Sequence, residues 1–214
     1  MVLRKVVVAP FVENTYIVGA RSTGDGMVVD PGGEPERVLE AVADLGLTVK
    51  LIVNTHGHGD HTSAVAALKE ATGATYALHQ ADVPLLKEGA SWASRVVPSY
   101  KPPPEPDRLL ADGDILEVGA LRFQVLETPG HTPGGICLYG HGLVFTGDTL
   151  FQGSIGRFDR PGGNGRQLLL SIFSRLLTLA PGTIVLPGHG EQSTIGREKL
   201  TNPFLQRIPG LGGR

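Results

Sequence analysis

Five of the seven histidines of this 214-residue chain lie in three short, glycine-flanked turns: THGHGDH at 55–61, PGHTPG at 129–134 and PGHG at 187–190. A fourth such turn, TGDTLF at 146–151, carries Asp148. Imidazole nitrogen and carboxylate oxygen without any thiolate form a donor set that suits zinc, iron or manganese and does not choose among them. The pattern H-x-H-x-D-H arises by chance in a chain of this composition with a probability on the order of 3 in 10,000, which makes it a specific signal. Its spacing has a physical sense. His56 and His58 are two apart, so in an extended segment both rings point to one side, while Asp60 and His61 open the following helix and approach from another. Together His56, His58, Asp60, His61, His131, Asp148 and His189 are too many for one tetrahedral ion. They suit two ions about 3.5–4 Å apart that share a bridging carboxylate and hydroxide. Asp148, isolated on its own strand end, is the natural bridge. His79 and His141 sit in no glycine-bracketed turn and read as structural or surface residues.

Each of these turns directly follows a β-type run, so a rigid sheet presents them as loops. Short strands are expected at 6–9, 15–20 and 26–29, then a helix over 35–45 with Val38, Leu39, Val42 and Leu45 on one face, then a strand at 50–54 that stops at Thr55. Ala64, Val65, Leu68 and Ala71 make a second apolar helical face closed by Gly73, with Asp60 or Thr62 as its N-cap. The second half repeats the logic with strands at 115–118, 121–127, 135–139, 143–146 and 183–186 and a helix over 167–179. Two β-rich halves with helices predict two sheets packed face to face and covered by helices, in a single domain spanning 1–214. The stretch GASWASRVVPSYKPPPEP at 89–106 reads as a long proline-stiffened loop, in which Trp92 and Tyr100 could form a substrate wall. The glycine-rich segments at 153–156 and 161–165 lack the spacing of a phosphate loop and read as turns and a helix cap.

Composition narrows the partners. Apolar residues make up 41% and charged residues 19%, and the formal net charge is −2, so no basic block offers a nucleic-acid surface. The apolar run at the start ends at Pro10 and lacks a signal-peptide pattern, and no later run is long enough to span a bilayer. A lone cysteine, Cys137, fits a reducing compartment and an inert core thiol. A cytoplasmic protein acting on a small molecule is expected, with no nucleic-acid or membrane partner.

The turns THGHGDH, PGHTPG, TGDTLF, GSIGRFDRPGG and LPGHG resemble the metallo-β-lactamase superfamily, and within it the glyoxalase II-like hydrolases of glutathione thioesters. The resemblance implies an α/β fold, the αββα sandwich of two mixed sheets flanked by helices, with metals at one edge. It implies His56, His58 and His131 on a first ion, Asp60, His61 and His189 on a second, and Asp148 bridging them. Zinc is the first expectation for the pair of divalent ions, with iron or manganese open. Arg157, in GSIGRFD, matches a basic position that contacts substrate in that family, although Asp159 stands where those enzymes often carry tyrosine. The alternative for Arg157 is a surface ion pair. Only 25 residues follow His189, too few for the helical C-terminal domain that helps full-length glyoxalase II hold glutathione.

The expected reaction is hydrolysis of a thioester by a metal-bridging hydroxide that Asp60 orients. Two other readings stand beside it: an iron-dependent persulfide dioxygenase, whose family holds one iron with residues matching His56, His131 and Asp148, and a non-catalytic metal-binding protein.

Overall fold

Valine- and isoleucine-rich runs pair into two six-stranded sheets. The computed structural model describes residues 1–97 and 100–206, without the side chains of residues 90–92. The first sheet runs in chain order through β1 (Val2–Val8), β2 (Glu13–Gly19), β3 (Asp25–Val29), β4 (Thr48–Val53), β5 (Thr75–His79) and β6 (Arg108–Leu110). Its first two pairings are antiparallel and the other three parallel. The second half supplies β7 (Ile115–Val118), β8 (Leu121–Glu127), β9 (Ile136–Gly140), β10 (Leu143–Gly147), a small ribbon of β11 (Leu150–Phe151) and β12 (Ser154–Ile155), then β13 (Ile184–Pro187) and β14 (Ser193–Thr194). The second sheet has the order β14-β13-β10-β9-β8-β7. Its outer strand β7 alternates buried Leu116 and Val118 with exposed Glu117, whereas β10 is buried along its whole length because both of its faces are covered.

Three apolar layers follow. Between the sheets, Met27, Val29 and Val53 meet Phe123, Leu138 and Phe145. Tyr16 and Phe123 approach Phe145 edge-on with centroids 5.3 and 5.9 Å away. Outside the first sheet lie α1 (Pro35–Asp44), which buries Val38, Ala41 and Val42, the single turn α2 (Gly59–Thr62), α3 (Val65–Thr72), which buries Val65 and Leu68, and α4 (Val83–Val96). Outside the second lies α5 (Gly165–Ser171), continued by a π-helical turn at Ile172–Leu176, with Leu168, Ile172 and Leu176 buried. The short helices α6 (Ile195–Thr201) and α7 (Pro203–Gln206) add Ile195 and Leu205 to that layer. Each such side chain, fully buried, stabilises the fold by roughly 1.5–3 kcal/mol. The result is the expected αββα arrangement.

Strand direction gathers the motif turns. Because β3 and β4 are parallel and β2 is antiparallel to β3, the ends of β3 and β4 and the start of β2 share one edge. In the second sheet β8 and β10 both oppose β9, and β13 runs with β10, so all three end together. The two edges are tied to each other by Asn14 N–H donating to Gly188 O (2.7 Å) and Ile136 N–H donating to Thr55 O (2.9 Å).

Two local expectations are corrected, and strands β5, β6 and β14 were not expected. The segment 89–106 is not all loop: α4 continues through Gly89 to Val96, because Pro84 occupies a helix-compatible first-turn position and Leu86 and Ala93 are buried. The Trp92 side chain lies outside the described residues. Neither Asp60 nor Thr62 caps α3. Both belong to α2, and α3 starts after Ala64 without a side-chain cap. The short strands β5, β6 and β14 carry no strong periodic signal of their own and depend on pairing with neighbours distant in sequence.

Candidate metal centre

Four strand ends deliver the seven side chains picked out by motif. His56 and His58 follow β4, with Asp60 and His61 in α2; His131 follows β8, Asp148 follows β10 and His189 follows β13. One ligand atom from each of His56, His58 and His131 lies within 4.8 Å of the others, and the same holds for Asp60, His61 and His189, and for His56, His61 and Asp148. Asp148 stands between the two trios. Its Oδ1 is 3.3 Å from His61 Nε2 and 4.0 Å from His189 Nε2, and its Oδ2 is 3.6 Å from His131 Nε2.

The outer nitrogens fix the tautomers. A carbonyl only accepts, so His131 donates through Nδ1 to Arg157 O (2.7 Å) and His189 through Nδ1 to Val12 O (3.3 Å). Thr55 Oγ1 donates to Asp30 Oδ2 (2.7 Å), and its remaining role toward His56 Nδ1 (3.1 Å) is as acceptor. His61 Nδ1 lies 3.2 Å from Asp30 Oδ2. In His56 and His131 this leaves the inward Nε2 as an acceptor, and His58 turns Nδ1 to that of His131 at 3.0 Å, while His61 Nδ1 makes no hydrogen bond among the described residues. His56 Nε2, His61 Nε2 and Asp148 Oδ1 are buried without a hydrogen-bond partner among the described residues. A buried polar atom left unpaired costs about 1–3 kcal/mol, and a cation held by these three atoms would relieve that cost. The donor set therefore fits divalent metal ions.

Charge is arranged in the same sense. Burial, reinforced by neighbouring imidazoles, lowers the pKa of His56 well below the usual histidine range, and burial together with His131 lowers that of His58 to about 4, so both rings are neutral ligands at pH 7. For Asp148 burial acts upward, but His61 and His131 hold its carboxyl below the ordinary range. Asp60 is likewise held low, with burial opposed by His189 and His61. For His61 and His189 burial acts downward, yet their carboxylate neighbours, Asp148 and Asp30 for the first and Asp60 and Asp148 for the second, raise them.

The motif reading missed the residues behind this cluster. Asp30, at the end of β3 with φ 51°, accepts from Thr55 N–H (2.7 Å) and Asn54 Nδ2 (3.2 Å) while facing His61. The sequence signal that could have found it is VVDPGG at 28–33, another strand ending in a glycine turn. Asn14 donates through Nδ2 to Pro187 O and Gly190 O, both at 2.9 Å, and Tyr16 Oη donates to Pro187 O at 2.8 Å, so the start of β2 pins the turn that carries His189. Glu13 is fully buried beside His61, and burial pushes its carboxyl well up against His61's opposing pull.

A cleft of about 240 Å³ opens beside His58, walled by Leu85, Glu88 and Gly89 of α4 and by Arg160 and Pro161. Of the segment 89–106, Gly89 reaches this cleft, while Leu85 and Glu88 precede that segment. Tyr100 lines a separate cavity of about 370 Å³ with Gly33, Ser63 and Lys101, which none of the seven metal-candidate residues touches. Arg157 enters the site through its carbonyl on His131; its side chain is 65% exposed and makes a two-point pair with Asp159, both contacts at 3.0 Å. His79 donates through Nε2 to Glu127 (3.0 Å) while its Nδ1 accepts from Ala81 N–H, and His141 Nε2 accepts from Arg122 N–H (3.1 Å), both as expected of structural residues. Cys137 is fully buried, and burial pushes its thiol up to about 12.

Known proteins carry the same framework. The family model for the metallo-beta-lactamase superfamily matches residues 8–189. The hydroxyacylglutathione hydrolase GloC of Haemophilus influenzae is 40% identical over 182 residues, covering 83% of this chain and 86% of its own. Among solved structures, TTHA1623 in a di-iron-bound form superposes with TM-score 0.85 and 41% identity, covering 94% of this chain and 100% of its own. ETHE1 from Myxococcus xanthus superposes with TM-score 0.81 and 35% identity, covering 95% of this chain and 84% of its own.

Proposed function

The chain belongs to the metallo-beta-lactamase superfamily, and from that premise we propose that it is a two-metal hydrolase of thioesters of the glutathione type. The observation that carries this reading is the set of buried, partnerless atoms His56 Nε2, His61 Nε2 and Asp148 Oδ1 between two ligand trios. His56, His58 and His131 would hold one divalent ion, Asp60, His61 and His189 the other, with Asp148 serving both. Zinc or iron meets the donor chemistry, and the likeness to a di-iron-bound structure keeps iron in play. Two bound cations supply Lewis acidity for a carbonyl oxygen and bring the pKa of a water toward neutrality.

The chain's own groups do the rest. Asp60, kept ionised by His189 and His61 and partly exposed, orients the attacking water by accepting its hydrogen bond. Leu85 and Pro161 shield the acyl group from bulk solvent. The thiolate is a good leaving group, so no dedicated acid is required. Arg157 holds a substrate carboxylate by exchanging Asp159 for it, at little cost because the pair is exposed. This is supported by the likeness to GloC, whose name specifies hydroxyacylglutathione hydrolysis.

The test is hydrolysis of lactoylglutathione by metal-replete protein, by protein stripped with a chelator and by protein reloaded with zinc or iron. Turnover that is lost on stripping and restored on reloading is expected. Two bound ions with no turnover would overturn the thioesterase assignment. A second reading is an iron-dependent persulfide dioxygenase, a family that carries an arginine and an aspartate like Arg157 and Asp159, which pair with each other here. Oxygen uptake with glutathione persulfide by the iron-loaded protein would favour it.

A further inference from the structure

Two of the turns that build the first trio meet on one buried side chain outside every motif. Asp82 lies at the junction of β5 and α4, is 0% exposed, and its carboxylate accepts three hydrogen bonds. Oδ2 accepts from Gly57 N–H (2.9 Å), the residue between His56 and His58, and from Thr132 Oγ1 (2.7 Å), the residue after His131. Oδ1 accepts from Gly134 N–H (2.6 Å), three residues after His131. A second observation is independent of those bonds. A Cβ on Gly57 would stand 2.6 Å from Asp82 O, and one on Gly134 would stand 2.8 Å from both Asp82 N and Oδ1. Both turns are therefore pressed onto Asp82 with no room for a side chain, which accounts for a glycine at each position. The second trio is held otherwise: Asp30 faces His61, and Asn14 and Val12 hold the His189 turn.

We propose that Asp82 is a positioning residue that sets the distance between the His56–His58 turn and the His131 turn, and so tunes the affinity of the first metal site without touching the second. Hydrogen bonds to a charged acceptor are short and strong, and one carboxylate receiving donors from two loops makes their separation a single rigid dimension. The proposal rests on the two-ion reading above.

Zinc affinity is measured by equilibrium dialysis in two backgrounds that each keep one trio intact: His189→Ala, which leaves the first, and His58→Ala, which leaves the second. Wild-type protein is measured alongside. Asp82→Asn should weaken zinc binding about 10- to 100-fold in the His189→Ala background. It should change binding less than about 2-fold in the His58→Ala background, by the same reasoning. Thr132→Val should act in the same direction more weakly, and Thr132→Ser should restore the wild-type value. Glu198→Gln is the structural control, since it also removes a buried carboxylate, one whose partners are Ser193, Gly153 and Asn202 rather than either turn. It should lower Tm and leave both affinities unchanged. Equal loss in both backgrounds, or no loss with either Asp82→Asn or Thr132→Val, would overturn the proposal. Wild-type protein that binds fewer than two ions would instead overturn the two-ion reading, and the positioning role with it.

Discussion

Gly188→Ala should disable the centre by geometry alone. Gly188 lies outside the left-handed region, so alanine is compatible with its backbone. The added Cβ would overlap His61 Cε1 and stand 2.7 Å from Asp148 Oδ1, whereas ordinary contact begins at 3.4 Å. Asp148 must then retreat by about 0.7 Å and His61 by more, and misplacement on the scale of 1 Å costs about 10²-fold in rate. His61 cannot yield easily, because it is fully buried and its Nδ1 faces Asp30 at 3.2 Å. Overpacking of this kind costs about 1–3 kcal/mol of stability, so the protein should still fold. The expected result is a fall of about 100-fold in kcat/KM for the hydrolysed thioester, with the second ion bound more weakly than in wild type. Gly190→Ala is the matched control. At φ 77° it strains the backbone, yet nothing lies within 4 Å of the new Cβ, so it should lower Tm and keep metal content and kcat. Steady-state kinetics with metal analysis on both variants makes the comparison. Wild-type metal content and activity in Gly188→Ala would refute the placement of His61 and Asp148 at the reacting centre.

Other outcomes follow from the same geometry. Asp148→Ala should lose both activity and metal content, because one carboxylate faces both trios; full turnover by that variant would remove the two-metal reading. Arg157→Ala should raise KM more than it lowers kcat, read from initial rates over a range of substrate concentrations, and unchanged kinetics would leave Arg157 as half of a surface ion pair. Cys137, with its thiol pushed up to about 12, should resist disulfide reagents at pH 8 in the native protein and react fully once unfolded. The same shift has a stability consequence. The folded state retains the thiol proton that the unfolded chain releases near pH 9, so this contribution is present below that pH and is lost as pH rises toward 12. Cys137→Ala should flatten that alkaline fall in Tm.

The sequence by itself determined the metal-candidate side chains and the order of the layers. His56, His58, Asp60 and His61 are close in sequence, and each remaining turn announces itself by glycine beside a histidine or aspartate after an apolar run, so local patterning suffices. Alternation in β8 and the helical stripe of α1 are equally local. Tertiary structure decided what holds those residues in place. Asn14 and the turn at 187–190 are joined by hydrogen bonds across more than 170 positions, and Asp30 faces His61 because β3 and β4 happen to be parallel neighbours. No periodicity encodes such a pairing, since it depends on which strands lie side by side. The same holds for α4, whose glycine and small polar residues weaken any helical signal while its burial against α2 and the first sheet sustains it. It holds most clearly for Asp82, an ordinary aspartate in sequence that becomes the meeting point of two loops only when β5 ends at the edge where β4 and β8 end.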